Sequence, residues 1–132
     1  MTTPLREAVR RRARGRCEYY RLPDFAMSRP DFHVEHIIAR KHGGKSTMEN
    51  LAWSCIFCNL YKGPNLASFD PDTGRLTTLF NPRTEPWSDH FQMDASRILG
   101  LTPIGRTSVW LLEMNSEILA NLRASLIAEG KW

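Results

Sequence analysis

Three short segments rich in metal-binding and catalytic residue types follow one another in the first half of this 132-residue chain. They are Cys17-Glu-Tyr-Tyr20, His33-Val-Glu-His-Ile37 and Cys55-Ile-Phe-Cys-Asn59. Each is weak alone, because a CxxC pair occurs by chance and a lone strand histidine is more often a packed core residue than a catalyst. Their order and spacing constrain the chain far more, because they raise considerably the odds that the three segments act together.

The hydrophobic pattern around these segments predicts that strand–strand–helix succession. Branched and aromatic residues favour strands over residues 32–38 and 51–54, separated by a polar loop that contains Gly43 and Gly44. A helix is predicted over residues 56–62, because Gly63 and Pro64 form a natural stop. A further helix is predicted over residues 3–14, with Thr3 as its cap and Pro4 in its first turn.

The second half of the chain carries fewer chemical signals. The pattern predicts a turn over residues 70–74, a strand over residues 75–80, a helix that opens at Thr102, and a last helix from a Ser116 cap to Glu129. Trp53, Phe57 and Trp110 are expected in the core rather than on a base-stacking surface. The chain therefore reads as one α+β domain over residues 1–132, with an N-terminal helix before the core and a hairpin plus two helices after it.

Composition limits the class of protein. Apolar residues make up 42% and charged residues 24%, which is ordinary for a soluble globular chain. No apolar run approaches the roughly 18 residues that cross a bilayer, and the N-terminal segment has no apolar core of a secretory signal, so a cytoplasmic location without a membrane partner is expected. Three cysteines are an odd number, which argues against a disulfide framework. The net charge of +4 suits a polyanionic partner.

The segment HVEHIIARKHGGKSTMENLAWSCIFCNLYKG, residues 33–63, resembles the HNH endonuclease family with its ββα-metal active site. FNPRTEPWSDHF and GLTPIGRTSVWLLEMN resemble the C-terminal extension of a small bacterial branch of that family. The resemblance places the HNH core at about residues 15–63 and the extension at about 64–132. The three positions that name the family correspond to His36, Asn50 and Asn59.

The resemblance implies a phosphodiester hydrolase that acts on DNA, with RNA a less common substrate. Glu35 and Asn59 would hold Mg²⁺ or another divalent cation through oxygen atoms. His36, neutral near pH 7, would take a proton from water, and Asn50 would orient it. Because neighbouring strand residues point to opposite faces, Glu35 and His36 can serve one phosphate only where the strand ends or twists. His33 shares the Glu35 face under regular alternation, so it could be a further ligand or a hydrogen-bond partner, but a structural role is the favoured expectation.

Family members often contain a structural zinc held by two CxxC pairs, and this chain offers only three of the four thiols. Cys17, Cys55 and Cys58 match the family pattern, whereas Tyr20 stands at the fourth position. A neutral phenol is a poor zinc ligand. Either a nearby histidine or water completes a weakened zinc site, or zinc is lost and Tyr20 fills its space, which is the favoured expectation.

Basic residues are the candidate nucleic-acid contacts. They would bind phosphate without reading sequence: Arg10–Arg14, Arg40, Lys41, Lys62 and Arg83. Two other functions stay open. One is a catalytically inactive nucleic-acid-binding module of HNH fold, which the missing zinc ligand keeps in consideration, and the other is a ribonuclease toxin.

Overall fold

A computed structural model describes residues 2–27 and 31–132 of the chain. It divides into two compact units, Met1–Pro64 and Asn65–Trp132. The prediction that the chain acts as a single domain stays a prediction. In the first unit the elements are α1 (Thr3–Arg12), β1 (Phe32–His36), β2 (Leu51–Cys55) and α2 (Ile56–Lys62); in the second they are β3 (Ala67–Phe69), β4 (Leu76–Thr78), α3 (Trp87–His90), β5 (Phe91–Asp94), β6 (Arg97–Gly100), α4 (Pro103–Leu111) and α5 (Glu117–Ala128).

The predicted strand–strand–helix succession is present in the first unit. Strands β1 and β2 pair antiparallel, with Phe32 opposite Cys55 and His36 opposite Leu51. Helix α2 follows β2 without a loop, because the Cys55 side chain caps it by accepting a hydrogen bond from the Cys58 backbone N–H. The helix ends at Lys62, as predicted.

The first strand and the first helix are shorter than predicted. Strand β1 ends at His36, two residues early, because the following backbone turns to bond with Asn50. Helix α1 is capped by Thr2 rather than by Thr3, since it is the Thr2 hydroxyl that accepts from the Leu5 N–H. Thr3 is instead the first helical residue.

Trp53 lies at the centre of the first core. It is 1% exposed, as predicted, and its ring packs between Phe32 and the Arg6 guanidinium, which lies 4.7 Å from the ring centroid. Its indole N–H donates to the buried Asp24 carboxylate, which also accepts from Arg10 at 2.6 Å. The Asp24 carboxylate thus satisfies the indole donor and anchors α1 to the strands behind the site.

The second unit contains one hairpin more than the sequence predicted. Strands β3 and β4 form the expected hairpin, whereas β5 and β6 form a second one over residues that carried no strand assignment. The turn between β5 and β6 places Ala95 in the left-handed region at φ 51°, a position where glycine or asparagine usually marks a turn. Helix α5 begins after the predicted Ser116 cap.

Trp110 corrects another expectation. Its side chain is 66% exposed on α4, so it is not a core residue, because the buried side of that helix carries the small residues Gly105, Thr107 and Ser108 instead. The α+β class and the ββα core are confirmed. No helix in the described ranges is both long and apolar enough to cross a bilayer.

Candidate active site

The loop between β1 and β2 is held by the Asn50 side chain. Its Oδ1 accepts from the Ile38 N–H at 2.9 Å, and its Nδ2 donates to the carbonyls of Ile38 and Lys45, each at 2.9 Å. Gly44 must be a glycine, because a Cβ there would lie 1.6 Å from the Ile38 carbonyl oxygen. Asn50 therefore bonds the loop backbone, and no hydrogen bond joins its amide to His36 in the described part of the chain.

His36 is the last residue of β1, and its imidazole lies against this loop. Its Nε2 is 2.8 Å from Ser46 Oγ, which also accepts from Arg40 at 3.1 Å. Partial burial, and after it the positive charge of Arg40, lowers the pKa of His36 below its ordinary value. This shift favours the neutral imidazole that a general base requires.

Glu35 lies on the buried side of β1 and is 5% exposed. Its Oε2 accepts a hydrogen bond from the Tyr19 hydroxyl, and its Oε1 lies 2.6 Å from the ammonium of Lys62 on α2. Burial raises the pKa of Glu35, although Lys62 and Tyr19 oppose this by favouring the carboxylate. The two adjacent candidates, Glu35 and His36, thus have separate sets of partners on opposite sides of the strand.

The fit of a divalent cation beside Glu35 can be judged from polar atoms that lack hydrogen bonds. Glu35 Oε1 is buried without a hydrogen bond in the described part of the chain, because the Lys62 contact is an ion pair outside hydrogen-bonding geometry. On α2, the Asn59 side chain likewise has no hydrogen-bond partner among the described residues. A carboxylate oxygen and an amide oxygen are ligand types that suit a hard cation such as Mg²⁺, and the Lys62 ammonium at 2.6 Å occupies one side of the Glu35 oxygen. The residues present therefore fit the cation that the resemblance implies.

The three cysteines lie together as the family pattern implies. All are buried, and their sulfur atoms lie within 4.8 Å of one another. Tyr20 is fully buried, and its hydroxyl lies 2.6 Å from Cys55 Sγ. Burial opposes ionisation of Cys55, but hydrogen bonds from Cys17, Cys58 and Tyr20 outweigh it and lower its pKa, whereas burial raises the pKa of Cys58. The three thiols and the Tyr20 hydroxyl thus form one buried hydrogen-bonded cluster.

Zinc fits this cluster only in part. In a tetrahedral site with Zn–S bonds of about 2.3 Å, two sulfurs lie about 3.8 Å apart, and the Cys17 and Cys58 sulfurs are 3.8 Å apart. An oxygen and a sulfur on one zinc would be about 3.5 Å apart, so the Tyr20 oxygen is too close to Cys55 Sγ to be a fourth ligand. The thiols suit three zinc positions, and Tyr20 occupies space beside them, in hydrogen-bond contact with Cys55.

The structure changes the assignments of several basic residues. Lys62 is 2% exposed and bonds the Ile37 carbonyl besides its ion pair, so it is not a phosphate contact. Arg10 is held by Asp24, and Arg12 donates to carbonyl oxygens of the chain, so both brace the fold. Arg40 and Lys41 lie exposed on the loop beside His36, where a phosphate could reach them. Arg83 lies in the second unit.

Two residues at the site were missed in the sequence. Tyr19 precedes the position of the absent cysteine, and nothing in a single sequence separates its role from that of Tyr20. Ser46 lies in a polar loop, where a serine is unremarkable. Their contacts join residues 16 and 10 positions apart, so pairing by periodicity would not reveal them.

The first unit thus places a buried carboxylate, Glu35, and a partly exposed imidazole, His36, at the end of the first strand of a ββα arrangement. The family model of HNH endonuclease matches residues 17–65, which confirms the resemblance for that segment. No curated protein and no solved structure matches the chain significantly. The match covers the first unit from Cys17 onward and ends where the second unit begins.

Proposed function

We propose that this protein is a metal-dependent endonuclease that hydrolyses DNA phosphodiester bonds. The observation that carries the proposal is the neutral, accessible His36 at the end of β1, one residue from the buried Glu35, within the segment that matches HNH endonuclease. Glu35 and Asn59 would hold the divalent cation. When bound, that cation supplies neutralisation of the phosphate's growing charge and of the departing alkoxide.

His36 is proposed to take the proton from the attacking water through Nδ1. Its Nε2 is bonded to Ser46, while Nδ1 has no hydrogen-bond partner in the described part of the chain. If Nε2 carries the hydrogen and donates it to Ser46 Oγ, then Nδ1 keeps the lone pair that accepts a proton. Because Arg40 donates to the same hydroxyl oxygen, the ring has a fixed orientation.

Asn50 is proposed to orient His36 through the loop and not by touching the ring. Its bond to the Lys45 carbonyl fixes the residue that precedes Ser46, and Ser46 in turn holds the imidazole. The exposed cations Arg40 and Lys41 would contact phosphates on either side of the cleaved bond. A cytoplasmic location stays a prediction.

Supercoiled plasmid incubated with the purified chain and Mg²⁺ or Mn²⁺, with and without chelator, tests the proposal. We expect nicking that requires the cation and that falls by at least about a hundredfold in His36→Ala. His42→Ala is the matched control, because His42 is exposed on the same loop, and nicking by this variant should persist.

Binding of DNA without cleavage under any divalent ion would refute the endonuclease and favour the inactive binding module. Much faster cleavage of RNA than of DNA would instead make the protein a ribonuclease.

A further inference from the structure

Two buried polar atoms lie on one face of β1 without a hydrogen bond among the described residues. They are His33 Nε2 and Glu35 Oε1, and the residues are two apart on a regular strand, so their side chains leave the same face. A buried polar atom without a partner is costly, and native proteins rarely keep one unless a ligand or water satisfies it. Glu35 Oε1 has the Lys62 ammonium beside it at 2.6 Å, whereas His33 Nε2 has no partner among the described residues, so a ligand on this strand face would satisfy the imidazole.

Helix α2 brings Asn59 towards this face. Lys62, at the end of the helix, reaches Glu35, and Asn59 lies one turn earlier on the same side of the helix. The helix starts directly after Cys55, which pairs with Phe32, so moving back along the helix means moving towards the start of β1. Along the helix, Asn59 thus precedes Lys62 on the way from the Phe32 end of β1 to Glu35.

The ion pair between Lys62 and Glu35 makes a further metal ligand favourable at this site. The Lys62 ammonium lies 2.6 Å from Glu35 Oε1 and neutralises much of the carboxylate's charge. Because the ammonium weakens the hold of the carboxylate on a divalent cation, Glu35 and the neutral Asn59 amide would bind it weakly, and a nitrogen ligand would add a further coordinate bond. The strand partner of His33 does not satisfy its ring, because the Ser54 hydroxyl opposite donates to the Cys55 carbonyl.

We propose that His33 is a third protein ligand of the divalent cation, bound through Nε2, and that the site consequently prefers Mn²⁺ to Mg²⁺. This rests on the proposed function, because it concerns the same cation. An imidazole nitrogen among oxygen ligands favours first-row transition ions, whereas Mg²⁺ favours oxygen alone. This replaces the structural role that the sequence led us to expect for His33.

The test measures cation binding by the full chain without nucleic acid, by the loss of the free Mn²⁺ electron paramagnetic resonance signal. Mn²⁺ is chosen because the thiols of the cysteine cluster select softer ions. We expect His33→Ala to weaken Mn²⁺ binding at least about tenfold, while His42→Ala, the matched exposed control, binds as the unchanged chain does.

A second variant separates coordination from packing. His33→Asn replaces the nitrogen ligand by an amide oxygen, so competition between Mn²⁺ and Mg²⁺ should shift towards Mg²⁺. Equal Mn²⁺ affinity in His33→Ala and the unchanged chain, an unaltered Mn²⁺-to-Mg²⁺ preference in His33→Asn, or no Mn²⁺ binding by the unchanged chain would each overturn the inference.

The outcomes also separate this inference from the proposed function. His33-dependent binding of Mn²⁺ without cleavage of any nucleic acid would refute the endonuclease and leave the ligand assignment intact. Cleavage of DNA by a chain whose cation affinity does not depend on His33 would overturn the ligand assignment and leave the proposed endonuclease intact.

Discussion

Replacement of Asn50 by alanine should lower kcat by more than the accompanying loss of folding stability can explain. The substitution removes three hydrogen bonds of 2.9 Å from the backbone of the β1–β2 loop. Each is worth about 0.5–1.5 kcal/mol net, and the freed backbone groups can reach water, so we expect a loss of about 1.5–3 kcal/mol in the free energy of unfolding. Ser46 and the His36 ring would lose their fixed position, and kcat should fall about tenfold to a hundredfold.

Asn115 offers a matched control in the second unit. Its side chain also bonds one residue's backbone twice, accepting from the Ile98 N–H and donating to the Ile98 carbonyl, each at 2.8 Å. Asn115→Ala should therefore cost similar or greater stability but leave kcat unchanged. Urea unfolding gives the stabilities, and plasmid nicking at saturating cation, well below the unfolding midpoint, gives kcat.

Two results would refute the reasoning about Asn50. An unchanged kcat in Asn50→Ala, with stability reduced, would show that the loop does not orient His36. An equal fall of kcat in both variants would show that loss of stability alone explains the effect.

Three further predictions concern the same unit. Gly44→Ala should displace the loop, because its Cβ would meet a carbonyl oxygen at 1.6 Å, and both the unfolding midpoint and nicking should fall; a fully active variant would contradict this. Arg40→Gln removes a positive charge that, after burial, lowers the pKa of His36, so the pKa of His36 should rise and the acidic limb of the kcat/KM profile should move to higher pH. The control variant Lys41→Gln should leave that limb in place. A limb that stays or moves to lower pH in Arg40→Gln would refute His36 as the base. Tyr20→Cys restores four thiols, so zinc measured by elemental analysis should rise to about one per chain; no gain would count against a former four-cysteine site.

The ββα core was predictable because its signals are local. Strand and helix patterns, the Gly-Gly loop and the Gly63 stop each lie within a few residues of what they determine. The hairpin of β5 and β6 was not predictable, since its turn uses Ala95 at positive φ in place of the usual glycine or asparagine. A local sequence pattern predicts whether a segment is a helix or a strand, and here that prediction failed where the residue in the turn was unusual.

The candidate site was predictable in its residue types but not in their partners. Lys62 resembles a solvated lysine at a helix end, and its burial follows only from Glu35 lying opposite it in the folded unit. Asn50 was expected to orient His36, and the groups that its amide bonds are backbone groups that carry no sequence signature. Such contacts depend on how strand, loop and helix fit together, which residue identity alone does not specify.

Because β2 leads directly into α2, the residues of the candidate site lie close together along the chain, which favours fast folding of the site. The Lys62–Ile37 hydrogen bond spans 25 residues, and Asn50 reaches back only 12 to Ile38. Closing such short loops costs little conformational entropy, and structures rich in local contacts fold fast. During synthesis, the candidate site is therefore expected to form while the residues of the second unit are still being added.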